Sequence, residues 1–250
     1  MRHFIFWTTG MLGMISLGLG WWLSPWWELL MLAPAALWLW ASVVPGCEWW
    51  GPQMKEFPTR KREALLTFDH APHPLETPVV LDLLEAEGAK GLFFLTGVQA
   101  MRHPELVKLI VSRGHGLGIH GMSYQPGRFW WWTPGHVKSE VETAIGVLRQ
   151  ILPDYKVMWF RAPGGRRGPW LHPVLKAYEL QLMAWSATDD ASRSSDFDSI
   201  VIRMRRDIQQ GAIIALHHGR IDAEGEPIVP DLVRELLLWL RGQGYKLGED

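Results

Sequence analysis

Three features of the sequence predict an α/β chain: an incomplete (β/α) barrel of about seven units preceded by an N-terminal helical hairpin. Short apolar runs alternate with segments of helical period, most of the runs stop at a charged residue or a histidine, and an uncharged stretch precedes them all. At 250 residues the chain has room for one large α/β domain and an added segment. A formal charge of -1 and a pI near 6.8 leave no electrostatic footprint for nucleic acid, which is excluded as a partner. The single cysteine, Cys47, excludes an internal disulfide framework. Sixteen tryptophans exceed what a core needs, and many fall within the first fifty residues, which turns attention to membranes.

The chain divides into an apolar anchor over 1–46, a linker over 47–63 and a domain over 64–250. Phe4 to Leu23 is uncharged, and about twenty helical residues cover the roughly 30 Å of a bilayer core. Leu29 to Val44 is shorter, contains Pro34, and is flanked by Trp26, Trp27, Trp49 and Trp50, which suit the membrane interface. The two read as a transmembrane hairpin, with the lipid bilayer as partner. A cleaved secretory leader is the competing reading, and it is disfavoured by a leader charge of only Arg2 and by the second apolar run. Arg2 at one end and Lys55, Arg60, Lys61 and Arg62 at the other favour cytoplasmic ends. Gly46, Gly51, Pro52 and Pro58 mark the linker.

Beyond the linker, Leu65–Phe68 reads as a strand opening at Asp69-His70-Ala71-Pro72-His73-Pro74. A helix over Thr77–Glu87 follows, ended by Gly88, then a strand over Gly91–Leu95 and a helix over Pro104–Arg113 closed by Gly114. Leu117–His120 is a third strand, His136–Leu152 a helix, Val157–Phe160 a strand running into Arg161, and Pro173–Glu179 a short helix. Leu182–Trp185 leads into Asp189-Asp190; Phe197–Gln209 is helical, Ala212–Leu216 is a strand reaching His217, and Leu232–Leu240 is the last helix.

Asp69, His120, Arg161, Asp189 and His217 each fall just past a predicted strand, and in a barrel those ends converge on one rim. An acid, a guanidinium and two histidines on a rim suit hydrolysis, with histidine binding metal or moving protons and aspartate serving as ligand or base. Taken singly, each has a bland reading as a structural group. Phe129-Trp130-Trp131-Trp132, near His120, suits sugar stacking, the bilayer surface or simple burial under the next helix.

From Leu65 to Leu247 the chain resembles the NodB-homology polysaccharide deacetylases of carbohydrate esterase family four. Thr67-Phe68-Asp69-His70-Ala71-Pro72-His73-Pro74 looks like the family's T-F-D-D-G-P-H-P, His120 opens a His-to-His motif, and Arg161-Ala162-Pro163-Gly164-Gly165 fits R-x-P-x-G completely. Trp185 to Asp189 resembles W-S-V-D-T, and Ile213 to His217 ends in the expected Leu216-His217. The resemblance implies a distorted (β/α) barrel and removal of N-acetyl groups from chitin-like or peptidoglycan polymers, with a divalent metal, usually zinc, held by an Asp and two His. Carried over residue by residue, Asp69 is the general base, His120 a metal ligand, Arg161 the group orienting the base, and His217 the general acid. Pro163 and Leu216 fall in motif positions beside the substrate.

Three positions depart from the pattern. His70 stands where the ligand Asp is expected, Tyr124 where the second ligand His is expected, and Thr188 at the acid orienting the general acid, with Asp189 or Asp190 just beyond. Two lost ligands ordinarily abolish tight zinc binding. His70, His120 and an ionised Tyr124 would carry the same charge as Asp-His-His, provided a metal lowers the phenol's pKa. The expectation is therefore a membrane-anchored deacetylase acting on an acetylated polysaccharide, with a glycan-binding pseudoenzyme or scaffold as the alternative. A cell-wall substrate requires the domain outside the cell, against the charge count.

Overall fold

The computed structural model describes residues 26–44, 46–125, 128, 131–190, 196–221 and 225–247. Its strands form one parallel sheet: β1 (Glu63–Ala71), β2 (Gly91–Leu95), β3 (Gly116–Ile119), β4 (Trp159–Phe160), β5 (Gln181–Leu182), β6 (Ala187–Thr188), β7 (Ala212–His217) and β8 (Lys246–Leu247). The order is β5-β4-β3-β2-β1-β7-β6, and β8 pairs with the start of β1. The result is a curled half-barrel wrapped by helices, consistent with the expected distorted barrel.

Alternation along the central strands separates two cores. Leu66 and Phe68 of β1, with Leu216 of β7, join the main core under the helices, which include Val80, Leu84, Ile110, Leu148 and Leu236. Leu65 and Ile213 turn inward onto Leu92, Phe94 and Met183. With a period of two, Thr67 and Asp69 share the inward face with Leu65, as His217 shares it with Ile213. The interior is therefore apolar at the strands' amino ends and polar at their carboxyl ends. Paired on both sides, β1 and β7 are almost continuously buried.

Helices begin where local chemistry favours it. The helix Pro104–Ser112 starts on proline, and Pro134–Ile151 follows Thr133, whose hydroxyl accepts from the His136 amide. Asp196 caps Phe197–Asp207 by accepting from the Ser199 amide at 2.9 Å.

Several boundaries differ from the expected ones. The expected strand Leu182–Trp185 divides into β5, four connecting residues and β6, because Met183 and Ala184 bond to Phe160 and Met54 while Ser186 crosses to Ile213. A six-residue helix, Gly97–Arg102, and the two-residue β8 were not expected, being too short for a periodic signal. Within the linker, Met54 bridges to Met183 and Glu56 to Ala212, so this segment lies against the barrel between β5 and β7.

The first member of the expected hairpin, Phe4–Leu23, lies outside the described residues. The second corresponds to the helix Trp26–Val43, and here the expectation is corrected: among the described residues no helix is long and apolar enough to cross a membrane. Glu28, Pro34 and the tryptophans dilute its apolar content. Its last turn is fastened to the barrel, with Ser42 accepting from the Arg167 amide (3.0 Å) and, through its hydroxyl, from Trp50 Nε1 (3.1 Å).

Candidate active site

Arg161, Asp69, Asp189 and His217 form one connected array at the strands' carboxyl ends. Arg161 is fully buried; its Nη1 donates to Asp69 Oδ1 (2.8 Å) and Thr67 Oγ1 (2.6 Å), and its Nη2 to the Ala184 carbonyl (2.9 Å). The guanidinium lies 4.1 Å from the Phe94 ring centre, so the inner core carries it from below. Asp69 Oδ2 is buried, makes no hydrogen bond, and faces His217 Nε2 at 3.5 Å. The opposite nitrogen of His217 meets Asp189 Oδ1 at 2.6 Å, and the His217 amide donates to Asp189 Oδ2. Arg220 pairs with the same carboxylate at 3.3 Å.

The electrostatics follow from these contacts. Burial pushes the Asp69 carboxyl up, but Arg161, His120 and His217 outweigh it and hold the pKa down at about 2. Burial disfavours a charged His217, but the Asp189 charge and hydrogen bond, with Asp69 behind, overcome that and raise it to about 9. At neutral pH Asp69 is thus an anion with one free oxygen, and His217 an imidazolium. They are a base and an acid that burial and neighbours have pushed apart.

Beside this pair stand the two imidazoles and the phenol that the sequence singled out. In β1 the pairing with β2 shifts register between Phe68 and Ala71, and His70 adopts φ 64°. Such irregularities re-aim side chains, and this one brings the His70 ring near His217, 6.0 Å between ring centres. His120 Nδ1 bonds to the Arg161 carbonyl at 2.9 Å, leaving Nε2 as the lone-pair nitrogen. His70 Nε2 and His120 Nε2 are both buried without a hydrogen-bond partner, and their ring centres are 5.6 Å apart. Burial lowers both, to about 3 and about 4, so both are neutral. The Tyr124 ring sits 3.6 Å from His70 and 5.4 Å from His120. Burial and then the Asp69 charge push its phenol up to about 12.

Among the described residues no group of three or more His, Cys, Asp or Glu is arranged to hold a metal ion. The two orphaned imidazole nitrogens nonetheless fit a divalent ion of borderline character.

Asp189 takes the place beside His217, whereas the Thr188 hydroxyl is buried without a partner. Thr188 pairs with Ala215 in register and the Asp189 amide donates to the Ala215 carbonyl, while past the end of β6 the Asp189 carboxylate reaches both the amide and the ring of His217. Pro163 opens a buried 3-10 turn just past Arg161. Leu216 is fully buried in the main core, on the face of β7 opposite His217, and so lies away from the open rim.

Sequence reasoning missed three supporting groups. Glu140 accepts from the Met122 and Ser123 amides (2.9 and 2.8 Å) and the Ser123 hydroxyl, holding the loop that carries Tyr124. Buried Glu76 accepts from His218 Nδ1 (2.7 Å) and the Gly219 amide (3.0 Å), while the His218 amide donates to the Asp69 carbonyl. Only the doubled His217-His218 hinted at the second.

A parallel α/β half-barrel with an ionised acid facing a clamped imidazolium on its rim defines a hydrolase-type scaffold. The profile of the polysaccharide deacetylase family matches residues 57–184. The chain is 28% identical over 195 residues to a peptidoglycan-N-acetylglucosamine deacetylase of Bacillus cereus, covering 76% of this chain and 87% of that protein. It is 33% identical over 162 residues to a chitooligosaccharide deacetylase of Bradyrhizobium, covering 63% and 71%. Among solved structures, a CE4 family pseudoenzyme from Bacillus anthracis superposes with TM-score 0.68 at 21% identity, covering 79% of this chain and 66% of that one. A mutant described as having restored enzymatic activity superposes with the same TM-score at 22% identity, covering 79% and 69%. The chain belongs to the polysaccharide deacetylase family, the NodB-homology group of carbohydrate esterase family four, whose members are hydrolases of carbon-nitrogen bonds and are in general metal-dependent.

Proposed function

We propose that this protein removes acetyl groups, from nitrogen in the first place and with O-acetyl esters as the variant, from a cell-wall or chitin-like glycan, and that its N-terminal segment holds it at a membrane with the barrel on the outer side. The observation that carries the reading is the free Oδ2 of Asp69 facing His217, while Arg161 and Asp189 hold the far sides of the two groups. Asp69 takes a proton from water, whose oxygen adds to the acetyl carbon. His217 then gives its proton to the departing nitrogen, so that the carbon-nitrogen bond breaks to acetate and a free amine. Arg161 keeps Asp69 ionised and pointed, and Asp189 keeps His217 charged and oriented. His70, His120 and Tyr124 would hold a divalent ion, zinc in this reading, which when bound supplies polarisation of the carbonyl and a more acidic water. Replacing Asp69→Asn or His217→Ala lowers acetate release by roughly 10²- to 10⁴-fold, as positioned acid and base groups contribute. Undiminished release from either variant removes that residue from the mechanism.

A second reading, a glycan-binding protein without turnover, is favoured by one observation: the Tyr124 ring lies against His70 with its phenol held neutral. Bound zinc decides between them. On the enzyme reading the natural protein holds zinc and Tyr124→Phe loses it. On the binding reading neither holds it, and His70→Asp with Tyr124→His creates zinc binding and acetate release.

A further inference from the structure

We infer that the barrel's rim, and not only the N-terminal segment, is a docking surface for an anionic lipid bilayer, and that the acetylated sugar it reaches is carried on a membrane lipid. Four large apolar side chains project from the connections that follow the carboxyl ends of four strands. Leu75 follows β1 and is 70% exposed, Met101 follows β2 at 59%, Trp131 follows β3 at 63%, and Ile221 follows β7 at 62%. One exposed apolar residue needs no explanation; four past the carboxyl ends of one sheet's strands form a pattern. Arg102 and Arg128 are exposed on the connections after β2 and β3, Arg166 on the one after β4, and Glu226 on the one after β7.

The surface continues into the N-terminal helix. The loop after β4, which carries Arg161, Pro163 and Arg166, bonds through the Arg167 amide to Ser42, and Leu32, Leu37, Leu39 and Trp40 are exposed on that helix. Among the described residues no helix is long and apolar enough to cross a bilayer, and this one, apolar along its length, sets its exposed leucines and Trp40 beside the rim.

The chemistry selects the occupant. Leucine, methionine and isoleucine offer a soluble sugar polymer neither hydrogen bonds nor flat aromatic faces, whereas they insert among acyl chains while arginines pair with lipid phosphates. A second copy docking on the same face would set arginine against arginine. The deacetylation chemistry rests on the function proposed above; the lipid surface itself does not.

The test uses the full chain in nanodiscs, in a Cys47→Ser background with an environment-sensitive fluorophore on Leu75→Cys, Met101→Cys or Ile221→Cys. Met158→Cys, ahead of β4 at the opposite end of the sheet, and Ile202→Cys, on the flanking helix Phe197–Asp207, are controls exposed by 50% and 67%. In phosphatidylglycerol nanodiscs the rim labels are expected to shift to the blue and be quenched by lipid-borne quenchers, less so in phosphatidylcholine, while the controls stay water-like. Rim labels as wet as Met158, or quenching at every position, overturns the proposal. Protection from aqueous quencher without lipid quenching overturns it in favour of a second copy. Acetate release, measured separately with an N-acetylglucosamine lipid in the same nanodiscs, separates failure of the chemistry from failure of the surface.

Discussion

Asp69 and His217 stand 3.5 Å apart and yet hold opposite charges at neutral pH, each fixed from behind by a dedicated partner. Burial alone would drive both toward neutrality; Arg161 prevents it for the acid and Asp189 for the imidazole. As general acid His217 must carry its proton, so turnover persists to alkaline pH and falls as pH rises through about 9. Because its folded pKa is raised, the stability this group lends is complete below 6.5 and is lost as pH rises through the same point near 9. Asp189→Asn should move the alkaline limb of the rate profile down toward the ordinary histidine range, which a pH series of acetate release reads directly. A limb left unmoved would mean that Asp189 does not set the charge on His217. Asp69, His120, Arg161 and His217 were legible in the sequence because each stops an apolar run. The choice of Asp189 over Thr188 was not, since it depends on which side chain turns toward His217 where β6 ends. Glu140 left no mark and Glu76 only the doubled His217-His218, because their partners lie 17 to 18 and 142 to 143 residues away in the chain.

At the scale of elements, the site is a continuation of the inner core. Phe94 belongs to the same small apolar cluster as Leu92, Met183 and Ile213, and it carries the Arg161 guanidinium on its face. Gly118 of β3 makes room for that ring: a Cβ there would lie 2.5 Å from Phe94 Cε1. Gly118→Val should therefore destabilise the fold by about 1–3 kcal/mol, the usual cost of overpacking, and lower activity through Arg161. Chemical denaturation reads the first effect and acetate release the second; wild-type stability would show that Phe94 has room to move. Period-two alternation made the long strands legible. The bulge at Asp69-His70 was not, because a left-handed His70 leaves no compositional mark. The short strands β4 to β6 blurred because two residues cannot display a period.

At the scale of the whole molecule, the segment Met54–Phe57 joins the N-terminal region to the barrel between β5 and the start of β7, and the bonded turn at Ser42 joins it to the loop after Arg161. What reads as a loose linker from its glycines and prolines is held by backbone pairing, which composition does not reveal. If this region anchors the protein, the full chain stays with membranes through salt and alkaline washing, and its recovery in the soluble fraction would remove the anchor. The central claim is chemical: an ionised Asp69 and a protonated His217, beside His70, His120 and Tyr124, make a working deacetylase. Acetate release from an N-acetylated chitooligosaccharide, measured against bound zinc in the natural protein, tests it most directly. Release that rises with zinc occupancy is predicted, and bound zinc without any acetate release from an acetylated glycan would contradict it.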